Sequence, residues 1–302
     1  MDISEIRLDI EAIEQNAALS EETNFNSRAD AIDNLEFNVI DRIEGLLHTI
    51  NRPDELIALK QYADRVKRRL EDINNNLFRR LRADIQAGVC RGAVFKSLID
   101  QYVGRVSSGG SQPPDEIGYD SLDLFINGLL LSQAAPTETK DREPEMVYYQ
   151  QTPARIILEL VEKAHLTEKD IFYDVGSGLG QVPILVHLLT GATAKGVEFE
   201  PAYSDYARES AVDLNLSGVE FINTDARTAD FSDGTVFFMY TPFAGRLLQA
   251  VLDKLLAESQ QRVIKLFSYG PCTPQLARQS WLKSIDQNEA YLYKLGVFTT
   301  LL

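Results

Sequence analysis

The sequence predicts an all-α segment followed by an α/β domain, its mainly parallel sheet covered by helices on both faces. Three observations carry this expectation. Up to about residue 102 the apolar residues recur at steps of three and four. Beyond Pro153, short apolar runs alternate with stretches of helical length. A turn with three glycines, Gly176, Gly178 and Gly180, ends the first of those runs where a helix should begin. The expected division is a helical N-terminal domain over 1–135 and an α/β domain over 136–302.

In the first part, Ile3, Ile6, Ile10, Ile13 and Ala17 form one stripe, and Ile32, Leu35, Val39, Ile43, Leu46 and Ile50 a second. Leu56, Leu59, Ala63, Val66, Leu70, Ile73 and Leu77 form a third. The run Asn51-Arg52-Pro53-Asp54-Glu55 restarts a helix, with proline in the first turn and acids beside the positive end of the dipole. The second and third stripes should therefore pair as an antiparallel hairpin. Residues 107–116, SSGGSQPPDE, and the polar stretch PTETKDREPE read as loops flanking a short helix near 122–131. Then come a helix (156–164), a strand (171–175), a helix (179–189), a strand (194–198), a helix (202–214), strands (219–223 and 235–240), a helix (246–257), a strand (263–268) and a last strand near 291–299. Such a sheet binds ligands at the carboxyl ends of its strands, where the strand order reverses.

Composition bounds the function. The chain has 302 residues, 44% of them hydrophobic, which is enough for a full globular core. With 45 acids against 30 bases it carries a formal charge of -15, which argues against non-specific attraction to nucleic acid. The one basic run comprises Lys60, Arg65, Lys67, Arg68, Arg69, Arg79, Arg80 and Arg82, and residues 1–36 hold ten acids against two bases. That match points to helix packing within the N-terminal part, or to a homodimer formed through it. Cys90 and Cys272 stand far apart and suggest neither a disulfide framework nor a thiolate metal site. His48, His165 and His187 lack ligand spacing, so no metal is expected. With no secretory leader and no long apolar span, the protein is expected in the cytoplasm, away from membranes.

The chemistry concentrates around FYDVGSGLGQV, residues 172–182. The spacing is G-x-G-x-G followed by Gln181, not the G-x-G-x-x-G of dinucleotide enzymes, and Asp174 precedes the first glycine. A pyrophosphate would be repelled by that carboxylate, whereas an ammonium would be held by it. Glu198 ends the next strand, where a carboxylate can accept both ribose hydroxyls, and Glu200 with Pro201 fits a helix cap better. Asp225 follows the third strand, placed to accept from an exocyclic base amine. An amino acid end, a ribose and an adenine, each met by an acid at successive strand ends, describe S-adenosylmethionine (SAM).

On these motifs, residues from about 146 to 268 resemble the class I SAM-dependent methyltransferases, a Rossmann-like fold. DIFYDVGSGLGQVPILV is most similar to the non-SET histone-lysine methyltransferases of the disruptor-of-telomeric-silencing type, and Tyr149-Gln150-Gln151-Thr152 echoes their Y-G-E-T loop. The resemblance implies that Thr152 touches the methionine part. It assigns Asp174, Gly176, Gly178, Gly180 and Gln181 to the turn around the amino acid group, Glu198 to the ribose, and Asp225 with Ala226 to the adenine. In that family an aromatic residue follows the last acid, and Ala226 departs from this.

Methyl transfer from a sulfonium is an in-line displacement needing alignment and exclusion of water, without a metal or a protein nucleophile. The acceptor side should follow the fourth strand, at Tyr240, Thr241 and Phe243, the candidate catalytic residues. Amino-methyltransferases acting on planar nitrogens carry N/D-P-P-Y/F there, and the histone-lysine type N-N-F-x-F. This chain keeps only Pro242 and Phe243 of the former. The acceptor stays open, with a protein lysine or another amine slightly favoured and protein or small molecule ahead of nucleic acid. Two alternatives remain: a scaffold that keeps the cofactor fold and works through its helical part, and an NAD-dependent oxidoreductase on the same topology.

Overall fold

The computed structural model describes residues 3–47, 53–104, 120–131, 133–285 and 292–301. The expected loop over 107–116, His48, the start of the helix restart at Asn51 and Arg52, and the beginning of the last strand at Tyr291 lie outside the described residues. The chain divides into two compact units, Met1–Arg82 with Leu98–Arg105, and Ala83–Ser97 with Val106–Leu302.

In the first unit, α1 (Ile3–Gln15) buries Ile6 and Ile10. A 3₁₀ turn, Ala17–Ser20, follows, with the Asn16 side chain accepting from Ala18 N at 3.1 Å. α2 (Phe25–Asp33) continues through a π-helical stretch, Asn34–Ile40, into α3 (Asp41–Leu47). The wider π turn carries both Val39 and Ile40 inward. α4 (Pro53–Gln86) starts at the expected proline, and its three-four stripe buries Leu56, Leu59, Ala63, Val66 and Leu70 against Leu35, Val39 and Ile43. Each fully buried leucine contributes roughly 1.5–3 kcal/mol. Glu44 pairs with Lys60 and Glu36 with Lys67, the reversed order that antiparallel neighbours require. Arg28, fully buried, is satisfied by Asn74 Oδ1 at 2.6 Å and by the carbonyls of Leu19 and Glu21. α5 spans Ala93–Tyr102, its residues up to Ser97 belonging to the second unit and those from Leu98 on to the first.

The second unit is built on seven strands: β1 (Ile171–Val175), β2 (Thr193–Glu198), β3 (Val219–Asn223), β4 (Val236–Tyr240), β5 (Lys265–Tyr269), β6 (Leu282–Ser284) and β7 (Gly296–Thr300). Their order is β3-β2-β1-β4-β5-β7-β6. The first five pair in parallel, and β7 runs antiparallel to both β5 and β6. The helices are α6 (Ser121–Leu130), α7 (Ala154–Ala164), α8 (Gln181–Thr190), α9 (Pro201–Asp213), α10 (Gly245–Ser259) and α11 (Thr273–Ala277). β6 and α11 have no counterpart in the sequence reading, because three and five residues are too few to display a period. Tyr173, Phe237, Met239, Val251, Leu255 and Leu266 anchor the core between β1, β4, β5 and α10. Lying between β2 and β4, β1 marks the reversal of strand order, so its carboxyl end opens a crevice. Cys90 and Cys272 are buried free thiols. His165 is the left-handed C-cap of α7, and His187 sits in α8 with Nδ1 2.8 Å from Ala192 O. No group of residues suited to a metal occurs among the described residues. Nor is any described helix long and apolar enough to cross a membrane.

Candidate active site

The glycine turn lies where β1 hands the chain to α8, and its conformation explains its composition. Gly176, Gly178 and Gly180 have φ of 87°, 52° and 83°, a region that side chains disfavour. Space imposes the same choice: a Cβ on Gly176 would lie 2.2 Å from Pro242 Cβ, and one on Gly178 would lie 2.2 Å from the Tyr149 ring. Gly176 N and Ser177 N donate to Val197 O at 2.8 and 3.1 Å, tying the turn to the end of β2.

A pocket of about 300 Å³ beside this turn is lined by Thr152, Asp174, Ser177, Gln181 and Tyr240, among others. Asp174 is only 3% exposed, and its carboxylate takes no hydrogen bond from the described residues. Burial, with repulsion from Glu198 added, pushes it well above the usual carboxylate range. Ser177 Oγ and Gln181 Oε1 are likewise buried without a partner. Gln181 is fixed at its other end: its Nε2 donates to Asn127 Oδ1 at 2.7 Å, so the oxygen is the atom left over. Asp174, Ser177 and Gln181 therefore line one pocket, the last two each with a buried oxygen that lacks a partner. Thr152, buried, stands just before α7, whose first turn is anchored by Asp123 Oδ1 accepting from Ala154 N at 2.7 Å.

A larger cleft of about 880 Å³ continues from this pocket over the ends of β2, β3 and β4, lined in part by Glu198, Phe199, Asp225, Ala226 and Phe243. Glu198 is braced rather than free to swing: Oε2 accepts from Gly178 N at 2.7 Å and Oε1 from Glu200 N at 2.8 Å. Burial raises its pKa against the opposing pull of those backbone donors. Phe199, which the sequence reading passed over, lines the same cleft as the small Ala226, with Lys140 Nζ lying 3.7 Å from its ring centroid. Asp225 is gripped by Arg227, whose Nε lies 3.0 Å from both carboxylate oxygens, and this contact above all holds Asp225 below its ordinary pKa. Arg227 Nη2 also reaches Glu143 Oε1 at 2.5 Å. Asp225 thus lines the cleft as a charge-paired group, and a base amine there would share its oxygens with Arg227.

Residues 138–150 form a strap along this cleft. At one end Thr139 Oγ1 donates to Glu200 Oε1 at 2.6 Å and Lys140 N to Glu200 Oε2 at 2.9 Å, while Glu200 caps α9 through Ala202 N at 3.0 Å. At the other end Val147 N donates to Pro242 O, Met146 bridges to Phe243, and Glu145 Oε2 accepts from Leu247 N at 2.8 Å at the start of α10. The strap delivers Tyr149 to the glycine turn, and the Tyr149 ring tilts against Tyr203 at 5.4 Å. Of the candidate catalytic residues, Tyr240 lines both the pocket and the cleft and packs on Tyr269 at 5.0 Å, and Phe243 walls the cleft. Thr241 lines the cleft too, at a φ of 39°, but its hydroxyl donates to Tyr269 O at 3.1 Å and accepts from Cys272 N at 3.3 Å. Its hydroxyl holds the turn between β4 and α10; it does not face an acceptor.

Residues 143–249 match the family described as "DOT1: Histone methylation protein DOT1". The chain resembles the DOT1-type class I SAM-dependent methyltransferases. No curated protein matches it at a significant level. Among solved structures, an RNA methyltransferase from Salinibacter ruber in complex with S-adenosyl-L-homocysteine is similar at 24% identity and a TM-score of 0.39, covering 50% of this chain and 92% of that one. A SAM-dependent methyltransferase from Aquifex aeolicus is similar at 16% identity and a TM-score of 0.41, covering 50% and 94%. Another from Thiobacillus denitrificans, in complex with S-adenosyl-L-homocysteine, is similar at 20% identity and a TM-score of 0.32, covering 38% and 48%. Over the matched residues the chain is similar to a methylation family, and the cofactor that the sequence motifs imply for it is S-adenosylmethionine.

The residues present fit that cofactor. A buried carboxyl group, with a hydroxyl and an amide oxygen that are buried without a partner, suits a group that is cationic and rich in donors, as the ammonium of an amino acid is. A pyrophosphate would meet Asp174 and Glu198 with like charge, which disfavours the dinucleotide alternative.

Proposed function

We propose that this domain methylates an amine nitrogen, with a protein lysine the favoured acceptor. Asp174, Ser177 and Gln181 would hold the cofactor's amino acid end, with Thr152 beside it. Glu198 would take the ribose, and Phe199, Asp225 and Ala226 would border the adenine. Bound there, SAM supplies an electrophilic methyl group on a sulfonium. What remains for the protein is to bring a deprotonated nitrogen into line and to keep water out.

The observation that carries the reading is the aromatic lining of the cleft, formed by Phe243 and by Tyr149 and Tyr240, the last two of which also line the pocket. Aromatic faces attract cationic and methylated amines and exclude water around them. The chain's charge of -15 favours a basic acceptor over an anionic one. Labelled SAM with lysine-rich protein, RNA and small amines as separate acceptors tests this. Label on a lysine or amine nitrogen, located by mass spectrometry and reduced roughly 10²-fold by Phe243→Ala through loss of alignment, is the expected result. Label confined to RNA, or to oxygen or carbon, would overturn it.

A further inference from the structure

Three amide side chains meet behind the glycine turn. Asn127, on α6, accepts at Oδ1 from Gln151 Nε2 at 2.5 Å and from Gln181 Nε2 at 2.7 Å, and its own Nδ2 donates to Gln151 Oε1 at 3.0 Å. Of Gln181's two polar atoms, only Nε2 is held in this way; Oε1 is buried and unpartnered, on a residue that lines the same pocket as Asp174 and Ser177. A glutamine amide can rotate by half a turn at little steric cost, so its polarity has to be imposed by a neighbour. Asn127 supplies that constraint, because the atom it offers to Gln181 is an acceptor and tolerates only the NH₂ end. Gln151 supports the arrangement by engaging both ends of the Asn127 amide, which disfavours its turning over alone.

α6 is in turn held in place. Asp120 and Asp123 form a reciprocal cap at its start, and Asp123 also accepts from Ala154 N. Burial raises the Asp123 pKa against the two backbone donors it accepts from, Asp120 N and Ala154 N.

We infer that Asn127 is a positioning residue that fixes Gln181 with its oxygen toward the cofactor's ammonium, so that α6 contributes to ligand selectivity without touching the ligand. The inference rests on the assignment of this pocket to the amino acid end of SAM. It is tested by calorimetry with S-adenosylhomocysteine and two analogues, one lacking the amino group and one lacking the carboxyl group. The readout is the ratio of affinities for the parent compound and the des-amino analogue, which does not depend on the fraction of protein that is folded.

In Asn127→Leu the ratio should fall roughly tenfold, the scale of one hydrogen bond to a charged group. Selectivity against the des-carboxyl analogue should move much less. Asn127→Asp keeps the oxygen that Gln181 donates to and should retain the ratio, which a generic packing defect on α6 would not. An unchanged ratio in Asn127→Leu, or a loss confined to recognition of the carboxyl group, overturns the inference. If the wild-type protein binds none of the three compounds, the assignment of the pocket itself fails.

Discussion

Asp174 is the residue at which folding and binding pull in opposite directions. Its carboxyl is buried, unpartnered and faced by Glu198, so its folded pKa lies above the ordinary value near 3.9. A group shifted in that direction favours the fold below its unfolded pKa, and the contribution is lost as pH rises through the folded value. Above that folded value the free protein carries a destabilising carboxylate, and a cationic ligand relieves it. Asp174→Asn should raise the melting temperature of the ligand-free protein, by about 2–4 °C for each kcal/mol relieved in a domain of this size, and increasingly so toward higher pH. The same change should weaken S-adenosylhomocysteine binding by ~1–3 kcal/mol. Wild-type affinity should rise with pH through the Asp174 titration, whereas the variant's should not. Scanning calorimetry and titration calorimetry at several pH values check both halves, and an equally stable variant with intact affinity would refute the account.

At the level of elements, what could be read from the sequence was whatever is locally encoded. β1 to β5 were legible because each is a short apolar run bounded by turn residues, and their carboxyl-end acids, Asp174 and Glu198, lie within those runs or at their last position. Glu200 as a helix cap was legible from the proline after it, and it does accept from Ala202 N. The strap over 138–150 was not, since PTETKDREPE has no period and its order comes from partners far along the chain, Glu200 at one end and Leu247 at the other. Asn127 was hidden among the apolar residues of α6, and the π-helical stretch cannot be told from an α-helix by stripe alone. The strap gives a prediction of its own. Glu200 is buried, yet the Thr139 hydroxyl and the Ala202 and Lys140 amides outweigh that burial and hold its pKa below normal. Its contribution is therefore present above the unfolded pKa and lost as pH falls through the folded one. Glu200→Gln should cost about 0.5–2 kcal/mol as a weakened cap and should raise amide hydrogen exchange across 138–150. Unchanged exchange there would show that the strap is held in some other way.

For the whole molecule, the sign of the charge is the strongest statement available about the acceptor. The basic run on α4 does not offset it, because Lys60, Lys67 and Arg80 pair with Glu44, Glu36 and Glu22 inside the same unit, Arg69 donates to Glu14 O, and Arg65 lies over the Tyr62 ring. These are exposed or half-exposed pairs that contribute little to stability, but they offset part of the positive charge of that run. An acidic protein of charge -15 attracts basic acceptors and repels anionic ones at distances set by the ionic strength. Between about 0.01 M and about 0.15 M salt the screening length shrinks from about 30 Å to about 8 Å. The kcat/KM for a lysine-rich peptide should therefore fall over that range, mainly through slower encounter, while kcat at saturating peptide changes little. A small neutral amine should show no such dependence, and an RNA acceptor should show the reverse, its repulsion being screened as salt rises. A kcat/KM for the basic peptide that stays flat or increases with salt would separate the acidic charge from substrate choice, and would leave the aromatic lining at Tyr149, Tyr240 and Phe243 as the sole basis for selecting an amine.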